Sequence, residues 1–144
     1  MKAITTKAAA FTITGMLCMT VGFAIAKTAH PPVQMLLSTS RTVVGQDIVY
    51  PDGFAKITGT LITMQSGEST GWHKHNVPLF AWVVEGQVTV DYGKDGKRTY
   101  TKGDAFVEAI NSYHNGKNTG DGTTRILAVF AGAENIPNTV MKDN

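Results

Sequence analysis

His73 and His75 stand two positions apart. In a strand successive side chains alternate between faces, so both imidazoles leave the same side with Cα atoms roughly 6–7 Å apart. That spacing lets two ring nitrogens reach one ion, since imidazole binds first-row metals at about 2.0–2.1 Å. His114 follows 39 positions after His75, on another predicted strand or the loop leading into it. A His-x-His pair alone is also the pattern of ordinary surface or hydrogen-bonded histidines. The census decides the reading: of four histidines, only His30 lies outside the constellation. Three neutral nitrogens suit a divalent ion, with iron, manganese, nickel, zinc and copper all compatible.

A carboxylate lies close by in the chain. Glu108 interrupts the apolar string Ala105-Phe106-Val107-Glu108-Ala109-Ile110, six residues before His114. If Ala105 to Ala109 is a strand, Phe106 and Glu108 share one face. On an inner face Glu108 would be a fourth ligand, an acceptor for a histidine N–H, or a general base with a raised pKa, and it is the catalytic candidate. Glutamate is seldom buried, so the default expectation is an outward carboxylate in a surface or interface ion pair.

The elements that must position these residues read as short strands and turns. Ala55 to Gln65 is rich in Ile and Thr, Leu79 to Glu85 is an apolar run, Gln87 to Tyr92 alternates, and Gly93 to Lys97 is a hairpin loop leading into Arg98 to Thr101. Thr124 to Ala131 is one more apolar strand, and no window keeps a capped helical period. Such spacing predicts an all-β barrel or sandwich. Phe80, Trp82, Val84 and Val88 are expected in its core, and Trp72 and Tyr113 are expected to point away from the histidine face. Lys94, Lys97 and Arg98 form a basic hairpin tip expected in solvent, Asn118 reads as turn support, and Pro78 should end the strand after His75.

Composition narrows the class. The 144 residues, 42% hydrophobic and 17% charged, fit one globular domain. Residues 1–26 read as an export signal: Lys2 and Lys7 precede an uncharged run from Ala8, which finishes Ala24-Ile25-Ala26 before Lys27. The rival is an uncleaved anchor, since about 18 or more uncharged residues can span a bilayer. Thr12, Thr14, Gly15, Thr20 and Gly22 dilute the run, so cleavage after Ala26 is expected, giving a periplasmic or secreted protein with no stable membrane anchoring. Without Lys2 and Lys7, 11 basic residues face 11 acidic ones, which argues against a nucleic-acid partner. Cys18 is the single cysteine and falls in the signal, so neither a disulfide framework nor a thiolate zinc site is expected. The expected order is signal 1–26, leader and first strand 27–45, barrel 46–135 and C-terminal tail 136–144.

Two stretches resemble the sequence motifs of the cupin superfamily. Gly67, His73, His75, Leu79 and Gly86 are spaced like the first, in which the position of Leu79 is normally glutamate. Gly103, Ala109, Asn111, His114 and Asn118 look like the second, which usually has proline and glycine where this chain has Ala109 and Asn111. The resemblance covers about residues 57–130 and implies a double-stranded β-helix, or jelly-roll barrel, with the metal inside its mouth; it also implies a homodimer. A leucine cannot ligate, so what remains is a neutral three-histidine face on His73, His75 and His114. Similar three-histidine sites occur in cupin thiol dioxygenases and diketone-cleaving enzymes, which bind ferrous iron. The implied function is that of an exported metal-binding cupin acting on a small molecule, as a dioxygenase, a related oxidoreductase or a lyase. The alternative is a barrel that binds a small ligand or a metal without turnover, because one fold carries enzymes and binders alike.

Overall fold

A computed structural model describes residues 31–143. The expected export signal, Cys18 and His30 lie outside the described residues. Among the described residues nine strands carry the regular structure: β1 (Ala55–Met64), β2 (His73–His75), β3 (Leu79–Glu85), β4 (Gln87–Asp91), β5 (Lys97–Thr101), β6 (Ala105–Val107), β7 (Asn115–Asn118), β8 (Thr124–Ala133) and β9 (Thr139–Met141). One 3-10 turn, Gly93–Asp95, closes the β4–β5 hairpin. Among the described residues no helix is long and apolar enough to cross a membrane.

The strands lie in antiparallel sheets of order β1-β8-β3-β6, β5-β4-β7 and β2-β9, the arrangement of the expected all-β jelly roll. A bridge between His73 and His114 ties β2 to the start of β7. Gly86 turns β3 into β4 at φ +75°, and a Cβ there would come within 2.6 Å of both the Thr123 carbonyl and the Thr124 hydroxyl. Only glycine fits so close an approach. Thr124 seals the corner, its hydroxyl accepting from the Gln87 N–H at 3.0 Å and donating to the Gln87 carbonyl at 2.8 Å.

The interior is built from alternate residues of facing strands. Ala81, Val83, Val88, Val90, Tyr92, Phe106, Ala109 and Ile126 form one cluster, and Val77, Leu79, Ala128 and Phe130 a second. Full burial of a valine such as Val83 or Val88 contributes about 1.5–3 kcal/mol each. On β3 the inward set is Leu79, Ala81 and Val83, while Phe80, Trp82 and Val84 are half-buried on the opposite face. The core expectation therefore holds for Val88 and fails for those three.

The cause is a second layer. Leu37, Ser38, Thr39, Ile48 and Tyr50 border a groove of about 350 Å³ over Phe80 on the outer face of the four-stranded sheet. Covered on both sides, β3 has no polar face and its periodicity carries no parity. The first strand expected within residues 27–45 is not formed in the described part of that range; a single bridge, Arg41 to Asp47, closes a turn there. Val33 and Met35 stay exposed and gain no strand partner. The turn is pinned instead by the Val43 N–H on the Val107 carbonyl at 2.9 Å and by the Gln46 side chain on both backbone groups of Ile110, at 2.8 and 2.9 Å. Arg98 was expected in solvent, yet its guanidinium donates to the Val43 carbonyl and lies over the Tyr92 ring. Residues 136–144, expected as a tail, contribute β9, which pairs with β2.

Candidate metal centre

Alternation on β2 turns His73 and His75 inward and Lys74 outward. The His73 N–H donates to the His114 carbonyl at 3.0 Å and the His114 N–H returns the bond at 2.8 Å. A pair exchanging both bonds sits directly opposite in the ladder, with side chains on one face. Register alone thus delivers the third imidazole to the first two. Asn111 donates its N–H to the His75 carbonyl at 2.7 Å from a backbone with φ +54°. That left-handed conformation suits glycine and is tolerated by asparagine, which accounts for Asn111 where the resemblance has glycine.

The ring centroids lie 4.9 Å (His73–His75), 4.5 Å (His73–His114) and 5.0 Å (His75–His114) apart. All three rings are buried, and their ligand atoms fall within 4.8 Å of one another. The outer nitrogens fix the tautomers. His73 Nδ1 meets the Gly71 carbonyl at 2.8 Å, His114 Nδ1 the Ser112 carbonyl at 2.9 Å, and His75 Nδ1 the Asn138 carbonyl at 3.2 Å and the Thr139 hydroxyl at 3.1 Å. A carbonyl only accepts, so each Nδ1 carries the proton and each Nε2 keeps its lone pair for an ion. Burial pulls the pKa of all three down, that of His75 to about 3 with help from its two histidine neighbours. Neutral imidazole is the ligating form, so the donor set fits a divalent metal ion.

Glu108 is buried, and its Oε2 lies 3.8 Å from His114 Nε2. The default expectation of an outward ion pair does not hold. Burial raises its pKa to about 7, against the opposing hydrogen bond from the Ala109 N–H. The Ala109 N–H reaches Oε1 at 2.7 Å. Proline, usual here in the resembling motif, has no N–H to give, so this departure supplies the carboxylate's prop. Glu108 borders the cavity but stands outside the cluster of three close donors. Leu79 is buried beside the histidines and offers no ligand atom.

The histidines and Glu108 line a chamber of about 50 Å³ whose remaining wall is apolar apart from Thr70, and includes Ala81, Val90, Phe106 and Ile126. A vestibule of about 190 Å³ lies over His73, His75 and Leu79, with Phe130, Thr139 and Met141 at its rim. Trp72 and Tyr113 point away, as expected, and are partly exposed under the Lys142 ammonium. Asn118 is turn support: it donates to the Met64 and Gly122 carbonyls and accepts from the Gly120 N–H. Sequence reasoning missed Gly71, Ser112, Asn138 and Thr139, because three of the four act through backbone carbonyls that leave no trace in residue type.

A cupin-domain family model matches residues 60–130, the span holding all three histidines and Glu108. The chain carries a cupin domain. Solved structures agree on the fold of this cupin. It is 18% identical to an oxalate oxidase, with TM-score 0.51 over 59% of this chain and 45% of that one. It is 24% identical to the oxalate decarboxylase of Lactobacillus farciminis, with TM-score 0.51 over 59% of this chain and 26% of that one. The DMSP lyase DddQ of Ruegeria pomeroyi is 15% identical, with TM-score 0.51 over 60% of this chain and 43% of that one. This cupin therefore spans less than half the length of each of those chains. A search of curated proteins found none that matches.

Proposed function

We propose that this cupin holds one divalent ion on His73, His75 and His114 and transforms a small molecule beside it, as a dioxygenase, a related oxidoreductase or a lyase. The observation that carries the reading is the convergence of three Nε2 lone pairs and the Glu108 carboxylate on one largely apolar chamber. A bound ion would supply Lewis acidity, and iron would add a redox centre for dioxygen. The chain's own residues supply the rest. Three neutral donors leave the ion's charge undiminished, which favours an anionic group on the substrate. The apolar wall excludes water and strengthens that attraction. Glu108, with its Oε2 3.8 Å from His114 Nε2, is placed to accept a proton from the substrate and return it, while the Ala109 N–H holds its carboxylate in place. Iron, manganese, nickel, zinc and copper all remain compatible with the donor set.

The test is oxygen uptake by the iron-loaded protein across small thiols, diketones and phenols. Glu108→Gln is expected to keep stoichiometric metal and to lose about 10²–10⁴-fold in kcat. Glu108→Gln turning over like the wild type removes the base role. A second reading is a periplasmic cupin that binds a small ligand or the metal without turnover, and its metal-binding form is favoured by the chamber's size: about 50 Å³, where ligand pockets commonly span about 300–1,000 Å³. Thermal stabilisation by a metabolite with no product under any metal selects that reading.

Both readings place the protein in the periplasm or outside the cell, as the N-terminal segment suggests, and both are compatible with a homodimer. Among the described residues β1 is an edge strand of ten residues with Ile57 and Leu61 exposed. Long apolar edges invite pairing with another strand, so β1 is the place for a two-fold contact. Sedimentation should give a dimer that Leu61→Lys converts to monomer; a wild-type monomer at all concentrations ends that proposal.

A further inference from the structure

β9 owes all its strand pairing to the strand that bears two of the metal-site histidines. Its register places Met141 opposite His73, Val140 opposite Lys74 and Thr139 opposite His75, and the Lys142 N–H extends the ladder to the Trp72 carbonyl at 2.9 Å. Among the described residues β9 pairs with no other strand. Both acceptors for His75 Nδ1 come from this segment, the Asn138 carbonyl and the Thr139 hydroxyl. The support of His73 is also within its reach: the Met141 methyl lies 3.2 Å from where a Cβ on Gly71 would stand, and the Gly71 carbonyl holds His73 Nδ1. Thr139 and Met141 are themselves exposed, and Met141 borders the vestibule. A three-residue strand with so little burial belongs to the low-stability end of a fold.

We infer that β9 is a positioning element of the metal centre: Asn138 and Thr139 hold the His75 ring with Nε2 inward, so that ion binding and docking of the C-terminal strand strengthen each other. The inference rests on the proposed metal site. Without its outer acceptors the His75 ring is free to rotate about χ2 and present either nitrogen. With β9 docked, one orientation and one tautomer are selected before the ion arrives. The coupling is reciprocal by linkage: whatever β9 adds to ion affinity, the ion returns as β9 stability. Partners of this kind on a ligating histidine are worth about 10–100-fold in metal affinity. The remaining Asn138 carbonyl puts a single Thr139 change at the lower end of that range.

The experiment uses the full chain and zinc, titrated against a chromophoric chelator. Thr139→Val, isosteric but without the acceptor, should weaken zinc about tenfold, and Thr139→Ser, which restores a hydroxyl, should return to within about twofold of wild type. Equal melting temperatures of the metal-free forms separate positioning from general destabilisation. Hydrogen exchange on the wild type needs no variant: zinc should slow the amides of Val140 and Lys142 by about tenfold or more. Unaltered zinc affinity in Thr139→Val, or unaltered exchange in a wild type holding one zinc, overturns the role of β9. A wild type that takes up no zinc overturns the metal reading beneath it.

Discussion

His114→Ala is expected to purify without stoichiometric metal, while the wild type carries about one ion per chain by elemental analysis. His114 is the residue on which the centre closes, because it alone comes from the second stretch of chain and its backbone is locked to His73 by two hydrogen bonds. Zinc sites with four protein ligands gain about 10–16 kcal/mol, or roughly 3–4 kcal/mol per ligand, so losing one of three should weaken binding by about 10²–10³-fold. Zinc should raise the melting temperature of the wild type and leave that of His114→Ala unmoved, since only a ligand that binds the folded state stabilises it. The same site predicts a pH response. Burial pulls the three histidine pKa values below the usual 6.5, so protons compete with the ion only further into acid. Metal content should therefore persist when the buffer is lowered from about pH 7.5 to about pH 6, where solvent-exposed histidines would already be charging. Equimolar metal in His114→Ala would move the centre elsewhere.

What the sequence carried and what it hid follow from how each residue acts. The histidines were legible because their chemistry is in the side chain and the two-residue spacing survives into β2. Glu108 was legible as an anomaly, a carboxylate in an apolar string, but its direction was not. Inward, the carboxylate is held by the Ala109 N–H, a backbone contact that cannot be read from composition. The β3 run shows the reverse problem. Leu79 to Val84 is apolar at every position, with the segment around residues 37–50 lying over Phe80 on its outer face, so Phe80 and Trp82 are indistinguishable by hydropathy from Ala81 and Val83, which face the core. The C-terminal strand was illegible for a third reason. Asn138 and Thr139 belong to a polar stretch with no period, and they matter only because β2 is there to receive them.

Leu79→Glu is expected to give the second-largest effect, with opposite signs in the metal-free and metal-bound protein. Leu79 is buried and faces the chamber and the vestibule beside His73 and His75, so a carboxylate there enters the space an ion would fill. Without metal it is a charge in an apolar wall, and burying it unpaired costs about 3–5 kcal/mol or forces it to protonate. A fall of about 12–20 °C in the melting temperature of the metal-free variant would correspond to that cost. With zinc the same carboxylate becomes a fourth, anionic donor, and about 3–4 kcal/mol of added ligation tightens binding by about 10²–10³-fold. The variant should thus start lower and climb further on adding zinc than the wild type. It should also bind azide or acetate more weakly, because a coordinated glutamate cancels one unit of the charge that draws external anions. Isothermal titration of zinc, followed by azide, measures both steps. If Leu79→Glu gains nothing in zinc affinity, residue 79 does not face the ion. If it gains zinc affinity and keeps full affinity for azide, the uncancelled charge of a neutral three-nitrogen site is not what attracts an anionic substrate.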